Sequence, residues 1–167
     1  MPQPVQTRIK QSLQEAETLY HRLVLLVGES GSGKTAALRA VAAELGTHVI
    51  NVNLELSARL IELTERQRTV QLSFLFGGVV EAAGTIALLD NTEILFDRGL
   101  RQDPHRLLQG VSRNRCVVAS WNGAVADNKL TYAETWHSEY RSYEVGDALI
   151  VTMNESSGLD AQKGLQA

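Results

Sequence analysis

The sequence contains few of the residues that disulfide bonds, metal sites or membrane spans require. Its single cysteine, Cys116, cannot form an internal disulfide, and its apolar neighbours are typical of a core position. The four histidines are scattered, without the Cys/His spacing typical of a metal site. No apolar run reaches the roughly 18 residues that a membrane-spanning helix needs, and the N-terminus has no apolar signal-peptide core. These absences predict a cytoplasmic protein that does not cross a membrane.

The charge balance excludes a second group of functions. The chain has 16 Lys and Arg against 19 Asp and Glu, a formal net charge of −3. It therefore has no overall electrostatic attraction to nucleic acid or to an anionic membrane. Its 167 residues, 44% of them hydrophobic, are enough for one α/β domain but not comfortably for two.

A glycine-rich stretch between a predicted strand and a predicted helix organises the chain. The apolar run Leu23–Val27 precedes it, and a helical pattern over residues 36–45 follows. The stretch is a Walker A phosphate loop, G-x-x-x-x-G-K-[ST], made of Gly28, Glu29, Ser30, Gly31, Ser32, Gly33, Lys34 and Thr35. Such a loop points backbone N–H groups at phosphates, so we expect Lys34 to contact the β- and γ-phosphates of ATP and Thr35 to bind Mg²⁺. The alternative is a glycine-rich turn that binds no ligand, and such a turn would not require a lysine or a threonine at positions 34 and 35.

A second motif supplies candidate acidic residues. An apolar strand over residues 85–89 ends at Asp90, the pattern of a Walker B motif whose carboxylate holds Mg²⁺ through water. Asn91 follows, where many P-loop ATPases have a catalytic glutamate. Glu93 is the nearest acid and is a candidate to orient the attacking water; a capping or solvent-facing role is equally consistent with the pattern. Glu29, in the phosphate loop, is a weaker candidate.

Polar residues also follow the next predicted strand, residues 116–120. A polar side chain at this place in P-loop proteins often contacts the γ-phosphate, and Ser120 and Asn122 are the candidates. The alternative is that Asn122 and Gly123 form a turn that ends the strand.

The remaining patterns predict a P-loop NTPase three-layer α/β sandwich with a mainly parallel sheet. An amphipathic helix over residues 6–20, with Tyr20 on its apolar face, either packs on the core or is offered to a partner. The other predicted elements are a strand at 47–52, helices at 56–66, 68–82 and 104–111, and a final strand or hairpin from 141–145 and 148–153. We expect residues 1–22 to flank a core of residues 23–153, with 154–167 a flexible tail.

Arginines are concentrated near the middle of the chain, at positions 98, 101, 106, 113 and 115. Three roles are open for these arginines. They could form a solvated surface, contact a nucleic-acid backbone, or stabilise phosphate charge on the nucleotide of a neighbouring subunit. Arg113 and Arg115 are the best candidates for the last role, because they lie where a helix turns into a core strand. Arg66 and Arg68 come second.

Taken together, these motifs resemble the BrxF family, the small P-loop proteins of type 3 BREX bacteriophage-defence systems. The similar stretches are LLVGESGSGKT (25–35), NVNLELS (51–57), LLDNTEILFD (88–97), DPHRLLQ (103–109), SRNR (112–115), LTYAE (130–134) and HSEY (137–140). The resemblance spans residues 23–145. It implies a nucleotide-dependent component of a multi-protein system that acts on phage DNA, with Asn91 normal for the family.

The motifs and the resemblance favour an AAA+-like ATPase without a C-terminal helical lid. We expect a homo-oligomer with ATP and Mg²⁺ at the subunit boundary, other BREX proteins as partners, and DNA bound directly or through them. Asn91 motivates an alternative, a nucleotide switch that hydrolyses ATP slowly. A small-molecule kinase is disfavoured because Ala36, not a second hydroxyl residue, follows Thr35, and no arginine-rich lid follows.

Overall fold

The structure, a computed structural model, describes residues 3–132 and 141–153, with only the backbone of Arg141. Its helices are α1 Val5–Ala16, α2 Lys34–Leu45, α3 Val52–Leu60, α4 Glu65–Glu81 and α5 Pro104–Val111, with short 3-10 helices at Thr92–Phe96 and Arg98–Leu100. Its strands are β1 Leu23–Gly28, β2 Val49–Asn51, β3 Ile86–Asp90, β4 Cys116–Ala126, β5 Lys129–Tyr132, β6 Arg141–Glu144 and β7 Leu149–Thr152.

Five strands form a parallel sheet in the order β2-β3-β4-β1-β7, with β1 between β4 and β7. Residues Leu23–Val27 of β1 are buried on both faces, as a central parallel strand requires. The register pairs Gly28 with Asn122, and Asn51 with Asp90. The carboxyl ends of β1, β2 and β3 therefore lie along one edge of the sheet together with Asn122 of β4, and we call this the carboxyl edge.

Helices cover both faces of this sheet, which confirms the predicted three-layer α/β fold. On one face, α1 and α2 bury Ile9, Leu13, Leu38 and Val41 against the sheet. On the other, α3, α4 and α5 bury a larger set that includes Phe76. Within residues 112–132 and 141–153 no helix follows α5, so the described core has no C-terminal helical lid. None of the described helices is long and apolar enough to span a bilayer.

The first predicted helix is too long at its C-terminal end. Helix α1 packs on α2, β1 and β7 through Ile9, Leu13 and Ala16, but it ends at Ala16. Tyr20 therefore lies beyond the helix and is 62% exposed, so its predicted place on the apolar face of this helix is wrong. The Arg113 guanidinium lies 4.2 Å from the centre of the Tyr20 ring, a cation–π contact that joins the segment before β1 to the segment before β4.

Side-chain caps explain why the strand and helix boundaries near residues 47–68 differ from the prediction. The Asn51 side chain accepts the Leu54 N–H at 3.0 Å, so α3 begins at Val52 and shortens the predicted strand. Thr64 and Gln67 form a capping box, so α4 begins at Glu65. The break between the two helices therefore falls at residues 61–64, and Arg66 and Arg68 lie in the first turn of α4.

The alternative of a turn at Asn122-Gly123 is wrong, because β4 continues to Ala126 and pairs with β5 in an antiparallel hairpin. The turn comes at Asp127 and Asn128, whose φ values of 52° and 61° are typical of a tight hairpin. A Cβ atom on Gly123 would lie 1.8 Å from the carbonyl oxygen of Thr131. Glycine at this position therefore permits the close approach of β5.

The last two strands do not form one strand or a hairpin with each other. Strand β6 is antiparallel to β5, whereas β7 is parallel to β1 on the far side of the sheet. A turn with Gly146 at φ 68° separates them. The predicted flexible tail, 154–167, lies outside the described residues.

We expect Gly123→Ala to lower the free energy of unfolding by roughly 1–3 kcal/mol, because its methyl group would displace the backbone of Thr131. Gly77→Ala is the matched control, since no atom lies within 4 Å of its Cβ position within α4. That substitution should instead raise stability by about 0.5–1 kcal/mol. Urea denaturation measures both, and an unaltered Gly123→Ala midpoint would contradict the tight β4–β5 pairing.

His105 gives the folded protein a pH dependence. It is 7% exposed and stacks on Tyr143, with ring centroids 6.1 Å apart. Burial lowers the pKa of His105 below its usual 6.5, although Asp103 and Asp147 oppose this effect and His21 adds to it. The unfolded chain therefore binds more protons near this pH, so stability is present above the unfolded pKa and is lost as pH falls through the folded one.

We expect the free energy of unfolding to fall between about pH 7.5 and pH 5.5, and to fall less steeply in His105→Phe. Urea titrations of both proteins at each pH measure the difference. His48→Phe is the control for general histidine effects, because His48 is exposed in the loop before β2. Equal slopes for wild type and His105→Phe would contradict the assignment.

Candidate nucleotide-binding site

The Walker A residues form a loop between β1 and α2 at the carboxyl edge. Gly28 is the last residue of β1, and Lys34 is the first of α2. Gly31 and Gly33 have φ values of 83° and 100°, left-handed conformations that favour glycine. Residues 29–33 are exposed and lead into the N-terminus of α2, where backbone N–H groups can bind an anion. The Ser32 N–H donates to the Glu29 carbonyl oxygen at 3.1 Å within the loop.

The Lys34 ammonium lies against this loop. Its Nζ atom donates to the carbonyl oxygens of Gly28 at 2.9 Å and Glu29 at 2.8 Å. Burial lowers the pKa of Lys34, while the carboxylates of Glu93, Asp90 and Glu29 act in the opposite direction. Phosphate oxygens accept hydrogen bonds from an ammonium more strongly than neutral carbonyls do, so a polyphosphate can replace these two partners.

Thr35 and Asp90 bring together the first turn of α2 and the end of β3. The Thr35 hydroxyl donates to Oδ2 of Asp90 at 2.6 Å, and Asp90 is 5% exposed. A hydroxyl and a carboxylate are hard oxygen ligands of the kind that Mg²⁺ prefers. The donor set therefore fits a magnesium ion that also contacts a bound phosphate. Among the described residues, no group of three or more His, Cys, Asp and Glu residues could hold a metal by itself.

Glu93 reaches the same edge because the chain reverses at Asn91. Asn91 has a φ of 55° and precedes the 3-10 helix that carries Glu93. The Asn122 amide donates to Oε2 of Glu93, and the β1–β4 register places Asn122 beside Gly28. Glu93 is thus half-buried at the site rather than directed at solvent.

The two polar candidates of β4 occupy different environments. Ser120 is 2% exposed, and its carbonyl oxygen accepts the Thr92 hydroxyl at 2.6 Å. Asn122 is half-buried and bonded to Glu93. The structure therefore brings Asn122, and not the Ser120 hydroxyl, together with the acidic residue of the site.

Arg113 and Arg115 lie away from this edge. Arg113 and Arg115 precede Cys116, and the six residue steps from there to Asn122 span about 20 Å of strand. Arg113 stacks on Tyr20, while Arg115 donates to the carbonyl oxygen of Gly84 at 2.5 Å. Arg68 donates to the carbonyl oxygens of Leu60 and Ile61 at the end of α3. Neither Arg113 nor Arg115 therefore reaches the phosphate loop of its own chain.

One residue beside the loop, Met153, was not predicted to lie there. Met153 follows β7 and lies next to Gly28, because the Met153 N–H donates to the Val27 carbonyl oxygen at 2.9 Å. Local sequence gives only a strand at this position. The parallel pairing of β7 with β1 is what brings Met153 to the loop, and no local pattern signals that pairing.

A comparison with known protein families gives one match. Residues 24–107, half of the chain, match the family AAA, ATPases associated with various cellular activities. No curated protein sequence gives a significant match.

Several solved structures are similar in fold. PCH-2 of C. elegans is 16% identical, with a TM-score of 0.45 over 95% of this chain and 47% of that chain. A DNA replication initiation factor is 18% identical, with a TM-score of 0.48 over 96% of this chain and 49% of that chain. AMPPCP-bound DnaA from Aquifex aeolicus is 17% identical, with a TM-score of 0.39 over 72% and 39%. The chain thus spans about half the length of the first two proteins and 39% of the third. From the match over half its length, the chain belongs to the AAA family of ATPases.

Proposed function

We propose that this AAA domain binds ATP with Mg²⁺ and hydrolyses the bond between its β- and γ-phosphates. The observation that carries the proposal is the meeting of Lys34, Thr35 and Asp90 at one edge, with Thr35 and Asp90 joined by a 2.6 Å hydrogen bond. The loop N–H groups of residues 28–35 bind the phosphates, and Lys34 neutralises the β- and γ-phosphate oxygens. Thr35 and Asp90 hold Mg²⁺, which neutralises charge on the transferred phosphoryl group when it is bound.

Glu93 is the proposed water-positioning residue. One of its carboxylate oxygens accepts the Asn122 amide, and we propose that the other accepts a proton from a water molecule. That water attacks the γ-phosphorus, the bond to the bridging oxygen breaks, and inorganic phosphate and ADP are the products. In this proposal Asn122, which pairs with Gly28, contacts the γ-phosphate from the same side.

An arginine from a second copy of the chain completes the proposed site. Arg113 and Arg115 lie about 20 Å from their own loop along β4, so either can act on phosphate only from a neighbouring subunit. Arg113 is the better candidate because its side chain is exposed, whereas Arg115 is half-buried and bonded to Gly84. This arrangement requires a homo-oligomer with the nucleotide at the subunit boundary.

We expect ATP and Mg²⁺ to give phosphate release whose rate per subunit rises with protein concentration. Assembly would supply the second subunit's arginine to more sites as the concentration increases. Lys34→Ala should abolish release at every concentration, whereas Arg113→Ala should reduce the plateau by about 1000-fold without loss of nucleotide binding. Lys129→Ala is a control, because its exposed side chain pairs with Glu144 on the hairpin. A rate per subunit that does not depend on concentration would contradict a shared site.

A slow nucleotide switch is the second candidate, and Asn91 favours it. Asn91 occupies the position directly after Asp90, and it supplies a left-handed backbone turn but no carboxylate. Glu93 is in turn bonded to Asn122. In this case Lys34, Thr35 and Asp90 bind ATP and its Mg²⁺. Hydrolysis of the ATP stays slow until a partner protein rearranges the Glu93–Asn122 pair.

Glu93→Gln separates the two candidates. We expect turnover to fall by about 100-fold or more, with nucleotide affinity within about threefold of wild type, because the amide cannot act as a base. Glu81→Gln, an exposed change on α4, is the matched control. Phosphate release and binding of a fluorescent ATP analogue provide the two readouts. Unaltered turnover in Glu93→Gln would remove Glu93 from catalysis.

The biological setting that we propose is a BREX-type bacteriophage-defence system in the cytoplasm. The BrxF-like stretches across residues 23–145 support this assignment, and other BREX proteins would be the partners. The domain would act there as an oligomeric motor or regulator of partners on DNA. The arginines of residues 98–115 are the proposed site of any direct contact with the DNA backbone.

A further inference from the structure

Met153 occupies a defined place beneath the phosphate loop. It continues the line of β7, whose Thr152 pairs with Val27 of β1, and its N–H donates to the Val27 carbonyl oxygen. Its side chain packs against the buried cluster that α1 and α2 form with the sheet. Met153 therefore lies between the hydrophobic core and the loop that leads from β1 into α2.

The Met153 side chain reaches both ends of the loop. A Cβ atom on Gly28 would lie 2.8 Å from Met153 Cγ, closer than two carbon atoms allow, and 3.0 Å from Met153 Cβ, which is a tight contact. A Cβ atom on Gly33 would lie 3.5 Å from Met153 Cε, at van der Waals contact. A Cβ atom on Gly31 would have no atom within 4 Å other than those of its own residue and its two chain neighbours. One flexible side chain thus supports the first and last glycines, while the middle of the loop is open to solvent.

Packing of Met153 against the loop matters because the loop binds phosphates through its backbone N–H groups. Glycines have the largest conformational freedom of any residue, so an unsupported glycine-rich loop loses entropy when it closes around phosphates. A packed side chain that restricts Gly28 and Gly33 beforehand reduces this cost. Methionine suits such a position because its unbranched chain fills irregular space and adjusts to small shifts.

We propose that Met153 is a positioning residue for nucleotide binding, one that pre-forms the phosphate loop and links it to the C-terminal end of β7. The inference rests on the proposed ATP-binding function. Met153 acts through Gly28 and Gly33 and contacts no reacting atom. Its removal should therefore weaken nucleotide binding more than it slows the chemical step.

Methyl NMR tests the contact directly, because the chain has only two methionines, Met1 and Met153. Protein labelled with ¹³C at the methionine methyl groups gives two signals, and Met153→Leu identifies the one from Met153. We expect ADP with Mg²⁺ to shift the Met153 signal in wild type, but not in Lys34→Ala. A Met153 signal that does not move while a fluorescent ADP analogue binds would overturn the inference.

Substitutions test the energetic consequence. We expect Met153→Ala to weaken binding of the fluorescent ADP analogue by about tenfold, and Met153→Leu, which nearly conserves volume, to restore it to within about twofold of wild type. Ile150→Ala is the matched control, since Ile150 also belongs to β7 but packs against the cluster on the opposite face of the sheet. Its binding should stay within about twofold of wild type. The value of kcat should change less than KM in Met153→Ala.

A double-mutant cycle tests the packing without any nucleotide. Gly28→Ala introduces the methyl group that would collide with Met153, so its loss of thermal stability should be smaller in the Met153→Ala background. The Ser32 hydroxyl, 2.5 Å from the same Cβ position, can rotate away and is present in both backgrounds. Additive melting shifts would show that Met153 does not support Gly28 and would overturn the inference.

The outcomes separate this inference from the proposed function. If wild type binds no nucleotide, the proposed function is wrong and the role of Met153 in binding falls with it. If wild type binds nucleotide and Met153→Ala binds it equally well, only the inference about Met153 fails. Weaker binding by Met153→Ala, with rescue by leucine and a normal Ile150→Ala control, supports both.

Discussion

The parallel pairing of β1 with β4 and β7 is the constraint on which the rest of the site depends. Because Gly28 pairs with Asn122, the loop that follows β1 is beside this polar residue of β4. Because Val27 pairs with Thr152, the residue after β7 lies under the same loop. A shift of either register would separate the loop from one of these neighbours without altering the Walker A sequence itself. The five buried residues of β1 make such a shift costly.

The second organising interaction joins α2 to β3. The Thr35 hydroxyl on Asp90 connects the helix after the loop to the strand that carries the acid. The positive φ of Asn91 then turns the chain so that Glu93 meets Asn122. Four segments that are distant in sequence, residues 28–35, 90–93, 122 and 153, are thus brought to one edge. This convergence is what makes a phosphate-binding and phosphate-cleaving role the best-supported function.

Sequence patterns predicted the parts of the fold that depend on local order. The apolar run of β1 and the glycines of the loop each determine their structure within a few residues. Predictions failed where a distant contact decided the outcome. Asn122-Gly123 is a common turn sequence, yet β5 pairs with it and β4 continues. The segments that became β6 and β7 are close in sequence, but their strand partners lie on different sides of the sheet.

The sequence by itself determined the phosphate loop, the strand that ends at Asp90 and the α/β class, because these follow from residue type and from spacing along one short segment. Only the tertiary structure decided that Glu93 bonds to Asn122, that Met153 supports Gly28 and Gly33, and that Arg113 lies at the far end of β4 from the loop. The physical reason is that strand order and register arise from burial of whole faces of the sheet. No short stretch of sequence contains that information.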